Sequence, residues 1–177
     1  MVRAGLAALC LASLAGLASA SGCSLLLDFS PGAIPADGLP PPPYTQAECD
    51  YLEPNNAPAE AATFTTADVG RAAICPGDAE DHDFYRFTVP ANTASVSVRI
   101  TLNSAGPTRD LDLRITDTAG GTMYGQSRGF ENEELIVCPG SSPVCPRLDA
   151  GDYLFEVFPA TADAVNRYDI ALTITPM

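Results

Sequence analysis

Residues 83–102 read DFYRFTVPANTASVSVRITL. Tyr85, Phe87 and Val89 alternate with Arg86 and Thr88. Beyond Pro90-Ala91-Asn92, Val96, Val98, Ile100 and Leu102 alternate with Ser95, Ser97, Arg99 and Thr101. Successive side chains of a strand point to opposite faces, so this is the period of two half-buried strands. A helix would need an apolar stripe at three- and four-residue spacing, and none is present.

The same period recurs downstream. Leu111, Leu113 and Ile115 alternate with Asp112, Arg114 and Thr116; Tyr153, Phe155 and Val157 share a face; so do Tyr168, Ile170, Leu172 and Ile174. Weaker strands are expected over 62–65, 71–75, 122–125 and 134–138. Turn signals at 90–92, 104–107, 119–121 and 150–152 separate them. Outside the N-terminal segment no stretch carries a helical stripe. The chain reads as all-β, an antiparallel β-sandwich of about eight or nine strands.

The N-terminus reads differently. Arg3 precedes an apolar run from Ala4 to Ala18, and small residues crowd Ser19 to Gly22. That is the pattern of a signal peptide over 1–22, too short to span a bilayer comfortably. Ala18-Ser19-Ala20 fits an ordinary cleavage site, leaving Ser21 first. Ala20-Ser21-Gly22-Cys23 resembles a bacterial lipobox, which implies lipidation at Cys23 and a membrane anchor. Residues 23–47 hold six prolines without hydrophobic periodicity. Signal and Pro-rich linker are expected to lack fixed structure, with polyproline II around Pro40–Pro43. The folded domain is expected over 48–177.

Composition limits the partners. The 177-residue precursor has formal net charge −13 and no lysine; past Cys23, eight arginines face 22 acids. Such a chain repels nucleic acid and anionic headgroups, and no basic patch reverses this. Cations, neutral polymers or proteins remain. Of six cysteines, Cys10 leaves with the signal and Cys23 is taken if lipidated. Cys49, Cys75, Cys138 and Cys145 are an even set in an exported chain, which argues for two disulfides. Three connectivities exist; the local closures Cys49–Cys75 and Cys138–Cys145 are favoured. They would contribute roughly 3.5 and 2.5 kcal/mol on the chain-entropy model.

Motifs then accumulate in order: LEPNNAPAEA (52–61), GDAEDHDFYRFTVPANTASVSVRI (77–100), DLDLRITDTAG (110–120), LDAGDYLFEVFPA (148–160) and NRYDIALTI (166–174). Together they resemble the bacterial pre-peptidase C-terminal domain across nearly all of 49–175. The resemblance implies a jelly-roll sandwich with no catalysis of its own, here without an accompanying peptidase.

Two oxygen-rich segments are candidate cation ligands. EPNN supplies Glu53, Asn55 and Asn56; GDAEDHD supplies Asp78, Asp81 and Asp83. Hard cations such as Ca2+ take six to eight such oxygens, and a Cys49–Cys75 bond would bring the segments together. Collagen-binding relatives within the resemblance imply calcium on Glu53, Asn55, Asn56, Asp81 and Asp83. The plainer alternative is turn formers and solvated charge.

Catalytic signals are thin. His82 is the sole histidine, lies in an acidic run and reads as a solvated loop residue. No G-x-S-x-G elbow accompanies it, and no tryptophan offers a sugar platform. Asp112 is expected to point to solvent beside Arg114 and Arg99. Ser141 and Ser142, at the tip of the loop closed by Cys138 and Cys145, are candidate ligand contacts. The expected function is a membrane-anchored, extracytoplasmic, non-catalytic binding or adhesion module for an envelope or extracellular polymer or protein, with possible Ca2+. A structural envelope lipoprotein without a soluble ligand and a small secreted hydrolase are the alternatives.

Overall fold

The computed structural model describes residues 44–49, 51–68, 70–77, 81–141 and 144–177. The expected signal peptide, Cys23 and most of the Pro-rich linker lie outside the described residues. The first described element is a single helical turn, α1 (Gln46–Cys49). It crosses the expected linker boundary at residue 47, and a capping box explains it. The Glu48 carboxylate accepts the Thr45 N–H at 2.7 Å, and the Thr45 hydroxyl accepts the Glu48 N–H at 3.3 Å.

Eleven strands follow: β1 (Ala62–Thr63), β2 (Gly70–Ile74), β3 (Asp83–Val89), β4 (Thr93–Leu102), β5 (Leu111–Thr116), β6 (Met123–Ser127), β7 (Glu133–Cys138), β8 (Gly140–Ser141), β9 (Val144–Cys145), β10 (Gly151–Pro159) and β11 (Asn166–Pro176). One sheet has the order β1-β3-β10-β5-β6 and the other β2-β11-β4-β7; β8 and β9 pair by themselves. Without β1 and the β8–β9 hairpin, the eight long strands run 2-7-4-5 in one sheet and 1-8-3-6 in the other. This is a jelly roll, the antiparallel sandwich that the periodicity and the resemblance imply. β1 departs from it by joining β3 in parallel, Ala62 opposite Tyr85.

The alternation places the core where the sequence predicts. Tyr85, Phe87, Val98, Ile100, Leu113, Ile115, Phe155, Val157, Tyr168 and Ile170 all belong to one buried cluster between the sheets. Phe64, Tyr85 and Phe155 form its aromatic centre, with ring centroids 4.9 to 5.6 Å apart. Each such pair adds about 0.5–1.5 kcal/mol beyond area burial.

The five-stranded sheet is buried on its outer face as well, since Leu154, Glu156 and Phe158 are as enclosed as the inward residues of β10. His82 and Arg114 cover Glu156, Arg114 and Arg128 lie over the Phe158 ring, and the segment after α1 also contacts this sheet. That segment's Asn55 carbonyl accepts the Phe84 N–H at 2.9 Å, and Pro58 packs so closely on Gly120 that a Cβ there would lie 2.9 Å from its Cγ. Gly120 also has φ +74°, so the turn before β6 needs glycine on both counts.

Both favoured disulfides are present. Cys49–Cys75 ties α1 to the end of β2 with Cα atoms 5.9 Å apart, and Cys138–Cys145 closes the β8–β9 hairpin at 4.9 Å. Such bonds persist in oxidising, extracytoplasmic compartments. Among the described residues no helix is long and apolar enough to cross a membrane.

Candidate cation site

The Cys49–Cys75 bond holds two chain segments against each other. One leaves α1 through Leu52, whose φ of 62° turns the chain sharply into Glu53. The other runs from Cys75 into β3 through Asp81 and Asp83. One oxygen from each of Glu53, Asp81 and Asp83 lies within 4.8 Å of the other two. Asp78 lies outside the described residues.

Local hydrogen bonds fix the ligand directions. Glu53 Oε2 accepts the Asn55 N–H at 2.8 Å and the Asn56 side-chain amide at 3.1 Å. Asn56 Oδ1 accepts the His82 N–H at 3.1 Å, which staples the first segment to the second. Asp81 Oδ2 accepts the Cys75 N–H at 2.7 Å. Tyr168 donates its hydroxyl to Asp83 Oδ2. Asn55, fully buried, faces the acids: turned so that its nitrogen points inward, its amide donates to both Glu53 oxygens and to Asp83 Oδ1, each at 3.1 Å. Turned over, the same amide presents its oxygen to them.

Electrostatics set the chemistry. Burial pushes the Asp83 carboxyl well above the usual range; the Tyr168 hydrogen bond opposes this, while the charges of Asp81 and Glu53 add to it. Burial also raises Asp81, against the Cys75 N–H. Three carboxyls converging in a partly dehydrated site call for a proton or a cation. The structure thus brings together four of the five expected ligands, Glu53, Asn55, Asp81 and Asp83, with Asn56 bracing the edge. The alternative of freely solvated charge does not describe Asp83 or Asn55.

His82 is not the solvated residue expected. Its Nδ1 lies 2.6 Å from Glu156 Oε1, and its ring stacks between Phe84 and Phe158 at 6.3 and 6.0 Å. Glu156 also accepts two guanidinium hydrogen bonds from Arg114. Sequence reasoning missed Glu156 because β10 has two buried faces, while the period of two assigns only one. Asp112 likewise does not face solvent. It is buried with Arg128 Nε 3.5 Å away. Arg114 is taken by Glu156, and Arg99 sits in the other sheet against Glu133 at 3.5 Å.

Ser141 lies in β8 opposite Val144, and Ser142 is outside the described residues. On the far side of the domain, Thr63, Thr65, Thr88 and Asn92 join Phe64 and Ile174 among the walls of a cleft of about 360 Å3 with no charged residue in its lining.

Among solved structures, the chain is similar to the pre-peptidase C-terminal domain of collagenase from Bacillus anthracis. Identity is 10%, coverage is 64% of this chain and 94% of that one, and the TM-score is 0.49. It is also similar to a family 35 carbohydrate binding module from an environmental isolate, at 14% identity, 66% and 84% coverage and a TM-score of 0.36. No family model matches the chain, and no curated protein matches it. The collagenase domain is of the kind that the sequence motifs resemble.

Proposed function

We propose that this chain is a calcium-stabilised, non-catalytic binding module of the cell envelope, anchored through a lipid on Cys23. The observation that carries the calcium reading is the convergence of Glu53, Asp81 and Asp83 beside the Cys49–Cys75 bond. Ca2+ suits the site because it accepts an irregular set of carboxylate and amide oxygens. Bound calcium would be held by Glu53, Asp81, Asp83 and the Asn55 amide oxygen, and its charge would offset that of the three carboxyls. These residues belong to the segment after α1 and to the approach to β3, so a bound ion would tie the two together.

The binding role draws on the fold. A rigid sandwich with disulfide-closed loops presents fixed surfaces, and the sole histidine holds its Nδ1 2.6 Å from the buried Glu156 carboxylate. The uncharged, threonine-lined cleft suits a neutral extracellular polymer, which the net charge of −13 does not repel. The β8–β9 hairpin, where Val144 is 75% exposed, is a second contact surface.

One pair of measurements tests the reading. Calcium in excess over chelator should raise the melting midpoint of the full chain, and an unchanged midpoint rejects the site. The intact mass of protein from its own membranes should show a start at Cys23 with added acyl chains.

A further inference from the structure

β11 is longer than the strand beside it. β2 pairs with it from Asn166 to Ile170 and stops at Gly70, whereas β4 accompanies it from Tyr168 to Pro176. Main-chain groups of an antiparallel strand point alternately to its two neighbours. The Arg167 carbonyl accepts the Asn103 N–H at the end of β4, so Arg167, Asp169, Ala171 and Thr173 turn toward β4. Tyr168, Ile170, Leu172 and Ile174 turn the other way. Ile170 meets Gly70 there. Leu172 and Ile174 meet no strand, and among the described residues no turn or loop hydrogen bond reaches their N–H or C=O groups.

The chain before β2 is committed elsewhere. Phe64 packs in the core against Tyr85 and Phe155, so near Gly70 that a Cβ there would lie 2.9 Å from its ring. The Thr65 N–H donates to Asp68 Oδ2 at 2.6 Å and the Asp68 N–H to the Thr65 carbonyl at 3.0 Å, a closed turn rather than a strand. The open edge borders the uncharged cleft: Leu172, Ile174 and Pro176 line it from one sheet, Thr63 and Thr88 from the other. Exposed edges usually carry a charge that repels an incoming strand. From Ile170 to Met177 this chain has no charged side chain.

We infer that β11 takes up an extended peptide segment of a partner protein as an added strand, antiparallel to residues 172–174, in the place a longer β2 would occupy. This rests on the binding-module reading and names its polymer as a polypeptide. Leu172 and Ile174 each offer one donor and one acceptor, about 6.8 Å apart, the spacing at which an extended main chain repeats its own. The cleft receives the inward side chains of the added strand. Its lining is uncharged in a chain of net charge −13, which selects uncharged side chains, and β-branched ones such as Thr and Val suit an extended segment.

The probe is an octapeptide of alternating Thr and Val with a neutral ethylene-glycol tail, added to the isotope-labelled full chain. Amide exchange is followed by NMR. In the free protein the Leu172 and Ile174 amides should exchange fast, and those of Ala171 and Thr173 slowly. The peptide should bind one to one and slow both fast amides. A peptide with methylated main-chain nitrogens keeps the side chains and should not bind. Ile174→Pro should weaken binding about tenfold or more, since the ring removes a donor that the β4 ladder does not use. Ile174→Lys, an inward charge at the edge, replaces it if the proline variant does not fold. Equal binding of the methylated peptide, binding that leaves both amides fast, or amides already slow in the free monomer each overturn the inference. Protection that grows with protein concentration and is lost in Ile174→Pro puts a second copy of the chain on the edge and also overturns the peptide partner. If the peptide does not bind while the native chain and Ile174→Pro are retained alike on envelope polysaccharide, the inference falls and the binding-module reading stands. If neither is bound, both fall.

Discussion

Tyr168, on β11 of the four-stranded sheet, donates its hydroxyl to Asp83 on β3 of the other sheet. Tyr85 completes the chain with its own hydroxyl 2.9 Å from that of Tyr168. The core is therefore crossed by a short polar line that ends at the candidate cation site. Its members are buried, so each hydroxyl must find a partner inside the protein.

Tyr168→Phe removes the donor to a buried carboxyl. Leaving such a group unsatisfied costs about 1–3 kcal/mol, so the variant should lose stability in that range by urea unfolding. Tyr85→Phe should cost less, because Tyr168 keeps its bond to Asp83. Equal losses would show that the line has no direction toward the acid.

Asp83→Asn should reverse its effect with calcium. In chelator it replaces a carboxyl whose charged form burial and two neighbouring acids disfavour, and asparagine can still accept the Tyr168 hydrogen bond. The variant should then melt at or above the native midpoint. With calcium at about 100 times its Kd the native chain gains about 2.7 kcal/mol, and the variant should fall several degrees below it. A variant that is less stable under both conditions points to a purely structural Asp83.

Much of this site was legible in the sequence, and the reasons are local. Glu53 and Asn55 follow Cys49, and Asp81 and Asp83 follow Cys75, at short spacing, so a single disulfide brings them together. The sandwich was legible because Val96, Val98, Ile100 and Leu102 keep strict alternation over a whole strand. Glu156, Asp112 and Glu134 were not legible. Their burial depends on what meets them from elsewhere: Arg114 and His82 at Glu156, Arg128 at Asp112 and the Gly129 turn at Glu134. Period-two reasoning assigns a charged residue to solvent unless another segment covers it. The four-residue helix at Gln46 was readable from Thr45 and Glu48 as a capping pair, but it is too short for a hydrophobic stripe.

Asp117 organises the turn between β5 and β6. Its oxygens accept the backbone N–H groups of Gly121 at 2.8 Å, Thr122 at 3.1 Å and Ala119 at 3.2 Å. Hydrogen bonding from the Thr122 side chain and from these amides holds its carboxyl below the ordinary value. A depressed folded value means stability present above the unfolded pKa and lost as pH falls through the folded one. Asp117→Ala should thus lower the melting midpoint at neutral pH, and the gap to the native chain should shrink on acidification below the ordinary aspartate range. A gap that stays constant with pH would assign the loss to turn propensity alone.

The Arg114–Glu156–His82 network decides between an ion pair that supports the fold and the remnant of a hydrolase. Glu156 is fully buried and receives two hydrogen bonds from Arg114 and one contact from His82. Removing one partner of a buried ion pair strands the other charge and costs about 3–5 kcal/mol. Arg114→Met should show such a loss in urea unfolding, moderated because His82 can still hold Glu156. Arg114→Met combined with Glu156→Leu should recover much of it, since an apolar pair of similar volume avoids the stranded charge. His82→Phe keeps the stack between Phe84 and Phe158 while removing the imidazole. It should leave retention on envelope polymer unchanged. A hydrolytic activity found in the native chain and lost in His82→Phe at full stability would instead place the imidazole in chemistry and reject the non-catalytic reading.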